Sequence, residues 1–214
     1  NTYTITNAAT PDLTIGLTGI NYSYTQATGS FTVSSATTTT FGNISLIASA
    51  GSVTVNGAVN AGGSGNVILT ATGASSDLTI TDTTGSVTSA LGTLAVTAGR
   101  NVILGRNALV TGTSILTTAV TVTATAGSIS DGSNSDLTVG TANIQTTGYG
   151  AGISLAASAG AIGATGTGRI DIGISGSNSS LTLNALTTDA VRLLQDAGGV
   201  GTLANLTVTA RPST

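Results

Sequence analysis

The chain has 214 residues, of which 40% are hydrophobic and only 6% charged, with a net charge of −3. Cys, His, Met, Trp, Lys and Glu are all absent, which excludes the usual nucleophile–histidine catalysis and zinc sites. Because the net charge is negative and the five Arg are scattered along the chain, there is no basic stripe that would bind nucleic acid. No apolar run reaches the ~18 residues of a membrane-spanning helix, so no transmembrane segment is expected.

Residues 1–40 form the first predicted unit, an N-terminal β segment. Short alternating stretches predict strands at 2–6, 13–17, 22–25 and 31–33. This segment is either a cap, the first coils of a repeat array or a small separate β unit. It does not begin like a signal peptide, so the chain is expected to be a mature form or a fragment.

From 41 to 214 a short pattern recurs and predicts a repeat domain. Each copy opens on a small or polar residue, continues with an apolar residue at every second position and ends in Ala, as a period-2 strand does. A second pattern runs Gly-Ser-Val or similar, and a third runs Ser-Asp-Leu-Thr or similar. The first pattern covers 42–48, 65–71, 92–98, 119–124, 152–157 and 205–210; the second covers 50–53, 84–87, 126–129 and 159–162; the third covers 76–80, 135–139 and 179–183.

The longer spacing predicts the architecture. Equivalent apolar positions of the first pattern recur with a period of roughly 25 residues, as in a solenoid. They include Ile44, Val67, Leu94 and Val120, and the pairs Ile129/Ile153 and Leu181/Leu206 show a similar spacing. Three short strands per coil of roughly 25 residues predict an all-β parallel β-helix, in which each coil adds about 4.8 Å along the axis.

Glycine and asparagine are expected at the corners of such a coil, where positive φ or a sharp bend is needed. The candidate corners are 56–57, 62–63, 131–132 and 198–199. The competing fold is an antiparallel sandwich, with 56–57 and 131–132 as hairpin turns. It is less favoured because sheets packed about 10 Å apart normally need larger core residues. Residues 184–197 form either a short helix or, preferably, another strand pair.

Residues 42–63 read GNISLIASAGSVTVNGAVNAGG, and 125–144 and 159–172 look like degenerate copies. Over about 41–210 the chain resembles the haemagglutinin-type repeats of filamentous-haemagglutinin-like adhesins and other two-partner-secretion exoproteins. The resemblance implies a right-handed parallel β-helix, export to the bacterial cell surface, and a non-enzymatic role as stalk, filament or adhesin. The partners it implies are a surface receptor or polysaccharide of a host or neighbouring cell.

No catalytic, cofactor-binding or metal-binding residue is assigned from the sequence. The nearest carboxylate pairs for a polysaccharide-degrading enzyme are Asp77/Asp82 and Asp131/Asp136. Asp also favours turns, which is the simpler interpretation of both pairs. Residues 131–136 space their oxygen ligands somewhat like a calcium loop, but the similar stretch 176–180 lacks acids. We therefore expect no enzyme activity and no cofactor.

A Thr-rich solenoid also suggests ice binding as an alternative function, and ice binding needs a regular outward array of Thr. The irregular loops 142–152 and 175–180 are the expected places for adhesive contact, and exposed strand edges predict end-to-end association into filaments. The predicted outward residues of the main strand are Ser45, Ile47, Ser49, Ile68, Thr70, Thr72, Ala95, Thr97, Thr121, Thr123, Thr125, Ser154, Ala156, Ser158, Thr207 and Thr209.

Overall fold

The computed structural model describes residues 2–7, 12–13, 21–82, 84–112, 118–132, 142–164, 168–188, 191–195 and 203–210. Within them the chain is a parallel β-solenoid of about 6 coils with ~26 residues each. Every strand pairing among these residues is parallel. The predicted parallel β-helix is therefore confirmed, and the antiparallel sandwich is wrong.

Three faces run along the solenoid. The first face consists of β1 (Thr2–Asn7), β3 (Asn21–Gln26), β6 (Ile44–Ala48), β9 (Val67–Ala71), β12 (Leu94–Ala98), β15 (Thr118–Ala124), the beginnings of β18 (Gly152–Ile162) and β20 (Ser179–Thr188), and β22 (Leu203–Ala210).

The second and third faces complete each coil. The second face consists of β2 (Asp12–Leu13), β4 (Phe31–Val33), β7 (Val53–Val55), β10 (Leu78–Ile80), β13 (Val102–Leu104), β16 (Ile129–Asp131) and the end of β18. The third face consists of β5 (Thr37–Thr39), β8 (Ala58–Ala61), β11 (Ser86–Ser89), β14 (Leu109–Thr111), β17 (Ile144–Thr146), β19 (Ile170–Ile174) and β21 (Val191–Gln195).

The predicted register is confirmed on the first face. Ile44, Val67, Leu94 and Val120 lie directly over one another in successive coils. Leu181 and Leu206 pair in the same way.

The predicted equivalence of Ile129 and Ile153 is wrong, because these residues lie on different faces. Ile129 pairs with Ile162 on the second face, whereas Ile153 pairs with Val120 on the first. The connection between β16 and β17 is long, and it makes the coil from Val120 to Ile153 longer than its neighbours.

Similar motifs also enter different faces. The stretches 50–53 and 126–129 run into β7 and β16 on the second face, but 84–87 runs into β11 on the third. Likewise 76–80 contains β10 of the second face, whereas 179–183 begins β20 of the first; the stretch 135–139 lies outside the described residues. A local motif therefore predicts a strand without fixing its face.

A single column of apolar side chains fills the interior. Inward Val, Ile, Leu and Ala of all three faces are almost completely buried, and the first coils add Tyr22, Tyr24 and Phe31, the last two in an edge-to-face contact at 5.1 Å. Burial raises the pKa of Tyr22 to about 12. Strands β3, β4 and β5 stack on β6, β7 and β8, so residues 21–39 continue the same sheets.

The described corners use both of the predicted devices, a positive φ and a sharp bend. Of the described candidate corners, only Gly63 has a positive φ, at +58°. Gly57 is required for another reason: a Cβ there would lie 2.6 Å from the backbone of Ser35 in the coil below. At 56–57 and 131–132 the sharp bend is the alternative that holds, because the chain bends at Gly57 and Gly132 without a positive φ. The candidate corner 198–199 lies outside the described residues.

The stretch 184–197 contains strands rather than a helix. Strand β20 continues to Thr188, and β21 covers Val191–Gln195. The preferred strand pair is confirmed over these residues and the helix is wrong.

Candidate functional site

The outward surface of the first face consists of two columns in register from coil to coil. The predicted outward residues between Ser45 and Ser158 are all partly or fully exposed, which confirms their orientation. The columns mix hydroxyls with aliphatic side chains, so the surface is neutral and chemically irregular. One column contains Ser23, Ser45, Ile68, Ala95, Thr121, Ser154, Thr182 and Thr207; the other contains Thr25, Ile47, Thr70, Thr97, Thr123, Ala156, Asn184 and Thr209.

A chain of side-chain hydrogen bonds runs along the corner between the first and second faces. In each coil a side-chain oxygen accepts the backbone N–H of the next coil, at 2.9–3.1 Å. We call this the serine–aspartate ladder. Its acceptors are Ser30, Ser52, Asp77, Asn101 and Ser128, and its last donor is the N–H of Ala161.

A second chain of this kind, the asparagine ladder, follows the corner between the third and first faces. The Oδ1 atoms of Asn21 and Asn43 accept the N–H groups of Asn43 and Asn66, both at 2.8 Å. The Oδ1 atom of Asn66 accepts both the N–H and the hydroxyl of Thr93, at 2.7 and 2.9 Å. Both ladders satisfy backbone donors that a bend in a parallel sheet would otherwise leave unpaired.

The first candidate carboxylate pair is not brought together. Asp77 and Asp82 lie on either side of β10, and each pairs with an Arg of the following coil. Asp77 accepts the Nε–H of Arg100 at 2.8 Å, and the side-chain hydrogen bond from Arg100 holds the pKa of Asp77 below its usual value. Asp82 lies 3.3 Å from Nε of Arg106. The two ion pairs therefore link the coil that contains β10 to the next coil.

The second pair is described only in part, because Asp136 and most of the proposed calcium loop lie outside the described residues. Asp131 instead accepts a hydrogen bond at 2.9 Å from Nδ2 of Asn143, which is fully buried. That Nδ2 group also reaches the carbonyl oxygens of Leu104 and Gly105, at 3.1 and 3.0 Å. The Asn143 amide therefore links Asp131, at the end of β16, to the residue just before β17. These are the two ends of the long β16–β17 connection.

The same cluster holds the most deeply buried charge of the described residues. Oδ1 of Asn143 accepts the N–H of Asp171 at 2.8 Å, and the Asp171 carboxylate accepts Nε–H of Arg169 at 3.1 Å. Asp171 is only 1% exposed. Such a buried carboxylate needs a paired partner, and here it has one. Sequence reasoning missed this cluster, for which the only signal was polar residues interrupting two strand-like stretches.

Sequence reasoning also missed a set of buried hydroxyls, three of them on the third face and one at the start of β20. These hydroxyls donate to carbonyl oxygens of corner glycines, so inward Ser and Thr complete the corners from inside. The bonds run from Thr39 to Gly42 at 2.5 Å, from Ser89 to Gly65 at 2.7 Å, from Thr111 to Gly92 at 3.1 Å and from Ser179 to Gly176 at 3.1 Å.

The remaining surface features flank the first face. A shallow groove of about 270 Å³ follows its border with the second face, lined by Ala71, Thr72, Ala74, Thr97, Gly99, Thr125 and Ala126. On the opposite border, at the asparagine-ladder corner, the apolar side chains of Phe41, Leu91 and Tyr149 are 74%, 58% and 57% exposed. Both loops predicted for adhesive contact expose a side chain to solvent. Loop 142–152 exposes Tyr149, and loop 175–180 exposes Asn178, which has φ +59°.

Among the described residues there is no helix with the length and apolarity to cross a membrane. No group of three or more acidic, His or Cys residues is arranged there to hold a metal ion. Comparisons of the chain with protein-family models, curated proteins and solved structures give no match in any of the three.

Proposed function

We propose that this chain is a structural, non-enzymatic segment of an exported bacterial surface protein, serving as a stalk, filament or adhesin passenger. The observation that carries the proposal is the serine–aspartate ladder, which links Ser30 to Ala161 through one bond per coil. Together with the parallel sheets, it ties every coil to the next along one axis. Such an array extends simply by adding repeats, as a stalk requires.

The placement of charge also supports a scaffold role. Asp77, Asp82 and Asp171 each pair with an Arg, and the first two of these pairs join neighbouring coils. The first face presents neutral side chains from Ser23 to Thr209. Because neutral surfaces exert little long-range steering, specific contact with a receptor or polysaccharide would depend on local shape and apolar groups.

Surface exposure is tested by antibody labelling of the producing bacterium. Antibody raised against the purified segment is expected to label intact cells as strongly as permeabilised cells. An antibody against a cytosolic protein, which should label only permeabilised cells, is the control. Labelling by the segment antibody only after permeabilisation would contradict export.

The scaffold role is tested by removing one coil in register. Deleting 67–93 joins Asn66 to Leu94, and since Val67 and Leu94 occupy the same position, the apolar column stays aligned. The variant is expected to unfold cooperatively and to be shorter by about 4.8 Å in small-angle scattering. Deleting 67–94 removes Leu94 as well and turns apolar residues outward, so it should fail to fold. Equal stability of the two deletions would contradict the role of coil register.

End-to-end association is part of the proposal. Leu206 and Val208 of β22 lie in register with inward residues of β20, yet are 54% and 50% exposed. Exposed strand edges with apolar side chains favour addition of a further strand. Electron microscopy of the concentrated protein should show linear assemblies that Leu206→Asp and Val208→Asp shorten; only dispersed short particles would count against association.

Ice binding has weaker support. The outward columns carry Ile68, Ala95 and Ala156 among the Thr and Ser residues, so the hydroxyl array is interrupted. We expect the purified chain to show no thermal hysteresis. Hysteresis that Thr121→Val and Thr123→Val abolish would instead favour this function.

A further inference from the structure

The three exposed apolar residues Phe41, Leu91 and Tyr149 form a line along the solenoid, which we call the apolar ridge. They precede β6, β12 and β18, which are every second strand of the first face. Successive members are therefore two coils apart, or about 9.6 Å along the axis. Exposed apolar groups that are aligned on one surface and rimmed by polar residues are a feature of ligand-binding sites.

The ring of Phe41 is placed by the backbone beneath it. A Cβ on Gly63 would lie 2.6 Å from Cδ1 of the Phe41 ring, so the ring occupies the space that a side chain would fill. Gly63 has φ +58°, which favours glycine, and its carbonyl accepts the N–H of Leu91 at 2.9 Å. The ring thus rests on the corner with 74% of its residue surface open to solvent.

The asparagine ladder places hydrogen-bond donors beside this ridge. Because Oδ1 of Asn43 accepts a backbone N–H, its Nδ2 hydrogens point away from that bond. The same orientation holds for Asn21 and Asn66 in the neighbouring coils. Three amide donors, one in each of the coils that begin with β3, β6 and β9, therefore lie at the Phe41 end of the apolar ridge.

The surroundings are uncharged. Within the described residues, the asparagine-ladder corner and the first face contain neither Asp nor Arg. The described charged residues belong to the second face, its corners, or β19 and β21. A charged partner would find no complementary group here, whereas a neutral polar one loses nothing by this absence.

We propose that the apolar ridge and the asparagine ladder together bind an extended, uncharged polysaccharide. The C–H faces of sugar rings would stack on Phe41 and Tyr149 and contact Leu91, and sugar hydroxyls would accept the amide hydrogens of Asn43 and Asn66. The two-coil spacing is close to the length of two sugar rings in an extended β-linked glycan. This inference gives the proposed surface protein a partner and rests on that role for its biological setting only.

The test is calorimetric titration of the purified chain with cellohexaose and chitohexaose, and with an oligogalacturonate as the anionic comparison. Binding to at least one neutral oligosaccharide is expected, and Phe41→Ala should weaken it by about tenfold. Asn43→Asp keeps an oxygen for the ladder but removes the amide donor, and a similar loss is expected. The matched control is Ile68→Ala, another exposed apolar residue away from the ridge, which should change affinity by less than about twofold.

Three outcomes would overturn the proposal: no binding of either neutral oligosaccharide, preference for the anionic one, or an equal loss with Ile68→Ala. Thermal unfolding of each variant checks that a loss of binding is not a loss of fold. Because the titration uses purified protein, its failure leaves the cell-labelling result unaffected. Failure of cell labelling likewise leaves the binding result standing.

Discussion

The two corners that border the first face solve the same problem with different chemistry. At the asparagine ladder, neutral amides accept the backbone N–H of the next coil. At the serine–aspartate ladder, hydroxyls, one amide and one carboxylate do so at nearly the same distances. A side-chain oxygen at the right place is therefore the common requirement, and a charge is an addition that only one corner carries.

The largest expected effect tests whether both corners are equally tight. At the serine–aspartate corner, a Cβ on Gly51 would lie 2.1 Å from the carbonyl oxygen of Gly29. At the asparagine-ladder corner, a Cβ on Gly92 would lie 2.2 Å from the carbonyl oxygen of Gly65. Because the contacts are with backbone, Gly51→Ala and Gly92→Ala should each lower the free energy of unfolding by about 3 kcal/mol or more in urea titrations. Gly112→Ala, whose Cβ would be 2.9 Å from Ala90 O, is the milder control, and an equal loss there would refute the argument.

The next effect removes one acceptor from each ladder. Asn66→Ala leaves the N–H of Thr93 without its acceptor, and Asn101→Ala does the same to Ser128. Each should cost about 1–3 kcal/mol in the free energy of unfolding. The exposed Asn60 of β8 provides the control, since Asn60→Ala should change stability by less than about 0.5 kcal/mol. Losses as small as that control would mean that water replaces the ladder bonds.

A smaller effect is expected on the acid sensitivity of stability, because only the serine–aspartate ladder contains a carboxylate. The pKa of Asp77 is lowered in the folded state, chiefly by the hydrogen bond from Arg100. Its contribution is therefore fully present above the ordinary pKa of 3.8 and is lost as the pH falls through the lower folded value. Asp77→Asn keeps an acceptor for Asn101 and has no carboxylate to protonate, so it should lose less stability than the wild type as the pH falls below 3.8. Parallel stability curves would exclude Asp77 as a source of acid sensitivity.

The smallest effect is expected from a substitution that places the carboxylate of the serine–aspartate ladder in the asparagine ladder. Asn43→Asp supplies a carboxylate oxygen to the N–H of Asn66, as Asp77 does for Asn101. At neutral pH the free energy of unfolding should change by less than about 0.5 kcal/mol. A loss as large as that of Asn66→Ala would show that the asparagine ladder specifically requires an amide.

Much of the first face is predictable from the sequence, because alternating apolar residues and their regular recurrence both point to stacked parallel strands. Ile44, Val67, Leu94 and Val120 align as their spacing predicts. Assigning Ile129 and Ile153 to one face fails because spacing alone does not reveal how much chain a corner holds. The long β16–β17 connection absorbs the difference.

The polar contacts are much harder to predict. Ser52 is a ladder acceptor, Ser89 a buried donor and Ser45 an outward side chain, yet all three occur in similar Thr- and Ser-rich surroundings. What distinguishes them is which group of the neighbouring coil lies opposite. The roles of Asn43 and Asn143 depend likewise on partners in other coils, far away along the chain, which no local pattern contains.

The long coil between Val120 and Ile153 shows that the amount of polypeptide in a coil is independent of the distance it climbs. The coil from Tyr22 to Ile44 uses much less chain, yet each of the two advances the sheet by one strand. Additional chain at a corner therefore leaves the spacing of the scaffold intact. Foreign peptides grafted into the β16–β17 connection should be displayed at a fixed height on the solenoid, which suits this protein to presenting epitopes at defined intervals.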